Sequence, residues 1–155
     1  MKKAFGTLSI MILLTLLLSA GLPALAAPPS GTDIVLLNPP KKGLLELGVG
    51  ESYTFYIEVR SVEPFTMAMA MLDEYYPGRG IFSPAGDQAV QDTSALLEIT
   101  ITGKSSTADL YAVCDWPEPG YCWEDGVAPV SIAVGMRYAG GMVYAEQFPF
   151  AVIVP

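Results

Sequence analysis

Histidine is absent from this chain of 155 residues, and its absence removes several classes of enzyme. Histidine is the usual general base beside a nucleophilic serine or cysteine, and it is a common zinc ligand. Pairs of carboxylates can still hydrolyse glycosides, but a small chain leaves little room for a deep cleft beside its core. We therefore predict that the protein is not an enzyme and that it holds no metal and no cofactor.

Basic residues are also scarce. The chain has 8 Lys and Arg against 16 Asp and Glu, a formal net charge of −8. Binding to nucleic acid needs a patch or stripe of basic residues to neutralise phosphates, and the sequence contains none. We predict that the chain does not bind nucleic acid and that its acidity keeps it soluble.

The amino terminus has the pattern of a secretory signal peptide. Lys2 and Lys3 precede an apolar run over residues 8–18, Pro23 follows it, and residues 24–26 (ALA) suit a signal peptidase. We predict a signal peptide over residues 1–26 and a protein that is secreted or held in the cell envelope. Without the two lysines, six basic residues oppose sixteen acidic ones, so the mature net charge is −10.

The amino terminus has two other interpretations. An uncleaved anchor stays open and would be the chain's contact with a membrane, although a span needs about 20 apolar residues and the strongly apolar part is shorter. A lipid-modified cysteine is excluded, because Leu22 occupies the position after residues 18–21 (LSAG) where that cysteine would stand.

The rest of the chain has the pattern of an all-β domain. Thirteen prolines and fifteen glycines suit many short strands and turns. We predict a flexible leader over residues 27–32 and one domain over residues 33–155, an antiparallel sandwich of seven to eight strands. Apolar and polar residues alternate in most of the predicted strands, which cover residues 33–37, 43–49, 51–62, 65–72, 95–102, 107–113, 129–138 and 142–154.

Several details of this pattern make separate predictions. Pro64 indicates a turn between two strands, and residues 77–94 a long connection between sheets. Residues 65–72 alternate strictly, which favours a strand over a helix. Met67, Met69 and Met71 would then share one face, and we predict that they form a stripe in the core. A soft-metal site on these thioethers is the less favoured alternative.

Two segments resemble bacterial immunoglobulin-like surface domains. They are residues 45–55 (LELGVGESYTF) and residues 97–104 (LEITITGK). The resemblance implies an immunoglobulin-like β-sandwich. Such domains serve adhesion, spacing, assembly and ligand binding alike, so the resemblance does not imply one function.

The most distinctive segment is residues 114–126 (CDWPEPGYCWEDG), which contains both cysteines and both tryptophans. In an exported protein two cysteines with no other partner form a disulfide, so we predict the pair Cys114–Cys122. The spacing is not C-x-x-C, so a redox-active pair is not expected.

The same segment supplies the candidate binding residues. Its aromatic side chains could stack on sugars, contact a protein partner, or pack onto the sandwich and anchor the loop. Its acidic side chains could bind calcium, although their spacing fits no known calcium loop, or simply be solvated. The candidates are Trp116, Tyr121, Trp123, Asp115, Glu118, Glu124 and Asp125.

Two hypotheses of function follow. The first is a non-catalytic structural or interaction module of the cell envelope or the extracellular space, which contacts protein partners. The second is a small protein that binds an extracellular glycan or calcium through the segment between Cys114 and Asp125.

Overall fold

The computed structural model of the protein describes residues 31–85, 88–89, 92–141 and 143–155. The predicted signal peptide and residues 27–30 of the predicted leader lie outside them. Within these ranges there is no α-helix, and no helix is long and apolar enough to cross a membrane. The elements are β1 (Asp33–Leu36), β2 (Leu44–Glu46), β3 (Ser52–Glu74), β4 (Phe82–Ala85), β5 (Gln88–Ala89), β6 (Asp92–Gly103), β7 (Val113–Cys114), β8 (Cys122–Trp123), β9 (Ala128–Tyr138), β10 (Val143–Ile153) and two 3-10 turns, Lys41–Gly43 and Pro77–Arg79.

Eight of these strands form one curled sheet. The strand order is β2-β10-β9-β3-β6-β4, and β1 and β5 also pair with β3. The sheet folds over on itself, so that Phe55 on β3 packs against Phe150 on β10 with ring centroids 4.9 Å apart. The predicted all-β class is confirmed, and the sheet is folded into two packed layers. Two details differ from the prediction: the described residues form ten strands rather than seven or eight, and β2 pairs with β10 in parallel.

The core consists of the inward faces of the long strands. Phe55, Ile57 and Val59 are fully buried in the first half of β3. The predicted alternation in β6 and β9 is confirmed, since the apolar residues of each strand are buried on one side. These residues are Leu97, Ile99, Ile101, Val130, Ile132, Val134 and Met136.

The predicted turn at Pro64 is wrong, because β3 continues through it for 23 residues. Residues 52–60 of β3 pair with β6, residues 67–74 pair with β9, and the register shifts between these stretches. A bulge adds a residue to one strand and bends it, which lets a single strand belong to both layers. At this bend the hydroxyl of Tyr138 hydrogen-bonds to the hydroxyls of Thr32 and Ser61, each at 3.0 Å.

The register shift also exchanges the inward and outward faces of β3. Odd-numbered positions are buried before the bulge, whereas Ala68 and Ala70 are buried after it. The prediction that Met67, Met69 and Met71 form a core stripe is therefore wrong. Met67 and Met69 are half-buried, and Met71 is 48% exposed. The physical reason is the side-chain period of two, which one extra residue inverts.

Two of the predicted segments have a different structure. The expected connection over residues 77–94 contains a 3-10 turn, β4, β5 and the start of β6. The expected strand over residues 107–113 is mostly a loop, with pairing that begins only at Val113. This loop follows β6 and leads directly into the segment with the candidate binding residues.

Candidate functional site

The candidate binding residues lie on and beside a short hairpin at one end of the sandwich. Strands β7 and β8 pair through Val113 with Trp123 and through Cys114 with Cys122. The two cysteines form a disulfide, as predicted. Val113 is buried, whereas the two cysteines are exposed. The disulfide therefore closes the loop on the outside of the molecule, and Val113 holds its first strand against the body.

Hydrogen bonds within the loop fix its shape. The Asp115 N–H donates to the Tyr121 carbonyl at 2.7 Å, and the Gly120 N–H donates to the Asp115 carboxylate at 3.0 Å. The indole Nε1–H of Trp123 donates to the Trp116 carbonyl at 2.8 Å. Each of these bonds crosses the loop, so the aromatic side chains are held in place relative to one another.

A second set of bonds attaches the hairpin to the sandwich. The Ala112 N–H donates to the Asp125 carboxylate at 2.7 Å. The hydroxyl of Thr107, which is fully buried, donates to the Gly126 carbonyl at 2.7 Å. The Thr107 N–H in turn donates to the Val154 carbonyl at 2.9 Å. The loop base is thus tied to the end of β10, and the hairpin has a defined orientation.

The hairpin meets the end of β3 through aromatic side chains. Tyr75 follows directly after β3, and its ring meets that of Trp116 edge-on with centroids 5.7 Å apart. The backbone carbonyl of Trp116 accepts a hydrogen bond from the indole of Trp123. The ring of Trp123 lies nearly parallel to that of Tyr121, with an interplanar angle of 17° and ring centroids 5.9 Å apart. We call these four residues, Tyr75, Trp116, Tyr121 and Trp123, the aromatic hairpin surface.

Tyr76 contacts the ring of Tyr75 edge-on, with ring centroids 4.8 Å apart. Its hydroxyl donates to the Tyr111 carbonyl at 3.1 Å. Burial raises the pKa of the phenol above its ordinary value of 10, the neighbouring Tyr75 and Asp125 raise it further, and Arg79 opposes them. Arg79 also forms an ion pair with Asp109, which connects the Pro77–Arg79 turn to the loop after β6.

The two tryptophans are half-buried, so they both anchor the loop and present part of their rings. Trp123 lines a surface cavity of about 250 Å³ between the hairpin and the sandwich, together with Leu44 and Ile153. Lys42 and Glu124 contribute opposite charges to the lining of the same cavity. Tyr121, at 40% exposure, is the most accessible aromatic ring of the hairpin itself.

The four acidic candidates divide into two kinds. Asp115 and Asp125 accept hydrogen bonds from backbone amides and hold the loop. Glu118 and Glu124 are exposed at its outside. Across the described ranges no three His, Cys, Asp or Glu side chains gather in a way that could hold a metal ion. The acidic residues are therefore spread around the aromatic hairpin surface.

Sequence reasoning found the hairpin and did not include Tyr75 in the site. Tyr75 is 39 residues before Cys114 in the sequence, and no local pattern connects the two. The available signal was the pair Tyr75–Tyr76 at the end of an alternating segment, where aromatic residues stand beside acidic ones. The contact itself depends on the length of β3, which the predicted turn at Pro64 concealed.

No protein-family model matches the sequence, and no curated protein matches it. Among solved structures, the chain is similar to the ASH / PapD-like domain of human CEP192 (PapD-like domain 7). The identity is 10%, the TM-score is 0.41, and the match covers 87% of this chain and 92% of that one.

Proposed function

We propose that this protein is an exported, non-catalytic interaction module that binds a protein partner in the cell envelope through the aromatic hairpin surface. The observation that carries the proposal is the unbroken series of contacts from Tyr75 through Trp116 and Trp123 to Tyr121. Export is inferred from the signal-like residues 1–26, and the non-catalytic role from a sequence without histidine.

The energetics of this surface favour binding. Tyrosine and tryptophan supply large, rigid contact areas, and they are enriched among the residues that dominate protein interfaces. Binding costs less when the contacting side chains are already ordered. Here the disulfide and the bonds across the loop order them in advance.

Glycan binding is the second candidate, and a specific observation favours it. The rings of Tyr121 and Trp123 are nearly parallel, and Glu118 and Glu124 are exposed on the same loop. Aromatic faces can stack on the apolar faces of sugars, while carboxylates accept hydrogen bonds from hydroxyl groups. Calcium is not proposed, because two of the four acidic groups already bond to backbone amides.

The test compares two tyrosines of nearly equal exposure. Tyr121 is 40% exposed on the hairpin, and Tyr56 is 38% exposed on β3. The protein is immobilised and exposed to an extract of envelope proteins. We expect Tyr121→Ala to reduce capture of a specific partner at least tenfold and Tyr56→Ala to leave it unchanged. Equal capture by both variants, or no partner at micromolar concentration, contradicts the proposal.

A fluorescence titration separates the second candidate from the first. Both tryptophans of the chain belong to the aromatic hairpin surface, so tryptophan emission, excited selectively, reports on this surface alone. Soluble fragments of cell-wall polysaccharide should leave the emission of the wild-type protein unchanged if the ligand is a protein. A saturable change that Tyr121→Ala abolishes would assign the surface to glycans instead.

A further inference from the structure

We propose that the outward face of β3 formed by Met67, Met69 and Met71 binds a soft monovalent cation, Cu(I) or its analogue Ag(I). This site lies along the strand rather than on the hairpin, and it is independent of the proposed function. It becomes available because the register shift in β3 turns the three thioethers away from the core.

The spacing of the three methionines suits a shared ligand. Alternate residues of a strand point to the same face and are about 7 Å apart along it. Methionine has three rotatable side-chain bonds, so neighbouring sulfur atoms can converge on one ion. Thioethers are soft ligands, and soft ligands select Cu(I) over hard cations such as Ca²⁺ or Mg²⁺.

The neighbouring strand leaves space for an ion beside these sulfur atoms. Met69 pairs with Gly135 on β9, and Met71 pairs with Ala133. A side-chain carbon placed on Gly135 would be in ordinary van der Waals contact with Cγ of Met69, at 3.8 Å, so Met69 lies directly over the glycine. Met67, Met69 and Gly135 line a surface cavity of about 270 Å³.

The positive charge of Arg137 at the site disfavours a divalent cation more than a monovalent one. Arg137 pairs with Met67 and lines the same cavity, and it repels a divalent cation twice as strongly as a monovalent one. The net charge of −8 for the whole chain attracts cations to the surface at long range. The thioethers are neutral, so their selectivity comes from softness and not from charge.

The rest of the chain offers few competing soft ligands. The sequence has no histidine, and its two cysteines are joined to each other. Soft-metal binding by the folded protein must therefore come from methionine sulfur. The chain has seven methionines, and Met136, which is 1% exposed, lines the same cavity from β9.

The experiment titrates the disulfide-intact protein with Ag(I) in chloride-free buffer, and with Cu(I) anaerobically against a chromophoric competitor. We expect one equivalent to bind with a dissociation constant in the micromolar range or below. Substitution of all three residues (Met67→Leu, Met69→Leu and Met71→Leu) should weaken binding at least tenfold, because leucine keeps the apolar bulk without the sulfur. Tyr56→Ala, in the half of β3 that pairs with β6, should bind as the wild type does.

A spectroscopic measurement checks the location directly. In protein labelled with ¹³C at the methionine methyl groups, Ag(I) should shift the signals of Met67, Met69 and Met71 more than those of any other methionine. The proposal is overturned if no ion binds, if the triple variant keeps its affinity, or if shifts occur only at other methionines. The triple variant must first show the wild-type circular dichroism spectrum, so that lost binding is not lost folding.

Discussion

Ala70→Asp is expected to destabilise the protein far more than Met71→Asp, although the two positions are adjacent. Ala70 is 4% exposed and pairs with Val134 in the core, so a carboxylate there would be buried without a partner. The effective cost of burying an unpaired ion is several kcal/mol, a large part of the roughly 5–15 kcal/mol that holds a domain folded. Met71 is 48% exposed, and a carboxylate there stays hydrated.

The measurement is urea unfolding followed by circular dichroism. We expect Met71→Asp to lower the free energy of unfolding by about 1 kcal/mol, which is ordinary for a surface strand position. Ala70→Asp should lower it by more than about 3 kcal/mol or prevent folding. The order of the two effects is decisive, because a strand whose methionines faced inward would reverse it.

Replacing the disulfide is expected to have the second large effect. A disulfide between residues eight positions apart restricts the unfolded chain, which stabilises the folded protein by about 2.5 kcal/mol in the chain-entropy account. The double variant Cys114→Ser and Cys122→Ser should lose stability of this order. Its tryptophan emission should also shift to the red, since Trp116 and Trp123 are held half-buried by the closed loop.

Two further samples serve as controls for the double variant. Reduction of the wild-type protein should reproduce the emission of the double variant, and Tyr121→Ala should keep the emission maximum of the folded hairpin. An unchanged unfolding free energy together with an unchanged emission maximum would mean that the hydrogen bonds of Thr107 and Asp125 hold the hairpin without the disulfide.

The sequence predicted the class of fold because long strands bury one face. In β6 the apolar residues Leu97, Ile99 and Ile101 alternate with polar ones, and all three are fully buried. The strands predicted over residues 129–138 and 142–154 likewise correspond to β9 and β10, which pair antiparallel. In these strands the period of two is unbroken, so the local pattern and the packing agree.

The sequence failed where a local signal competes with pairing to distant strands. Pro64 predicts a turn, but β3 is held extended on both sides of it by β6 and β9, which lie far away in the sequence. The alternation of residues 65–72 gave the strand correctly and its faces incorrectly. Alternation alone shows which residues share a face and not which face is inward.

In the candidate site, too, contacts between sequence neighbours could be predicted and a contact with a distant strand could not. Cys114, Trp116, Tyr121 and Trp123 are close in sequence, and their association in one hairpin could be predicted. Tyr75 joins them only because β3 runs unbroken past the bulge to Glu74 and ends beside the loop. Tyr75 continues the outward-facing alternation of Met67, Met69 and Met71. The aromatic hairpin surface and the methionine face of β3 therefore both depend on the register shift.

The register shift in β3 turns its methionines outward, and this exposure can be measured by oxidation of methionine in the native protein. Hydrogen peroxide converts accessible thioethers to sulfoxides, and mass spectrometry of peptides gives the rate for each segment. We predict that Met71 is oxidised fastest, that Met67 and Met69 follow, and that Met136 reacts only after unfolding. Protection of residues 67–71 equal to that of Met136 would show that the methionines face the core, and would contradict this account of β3 and of both surfaces.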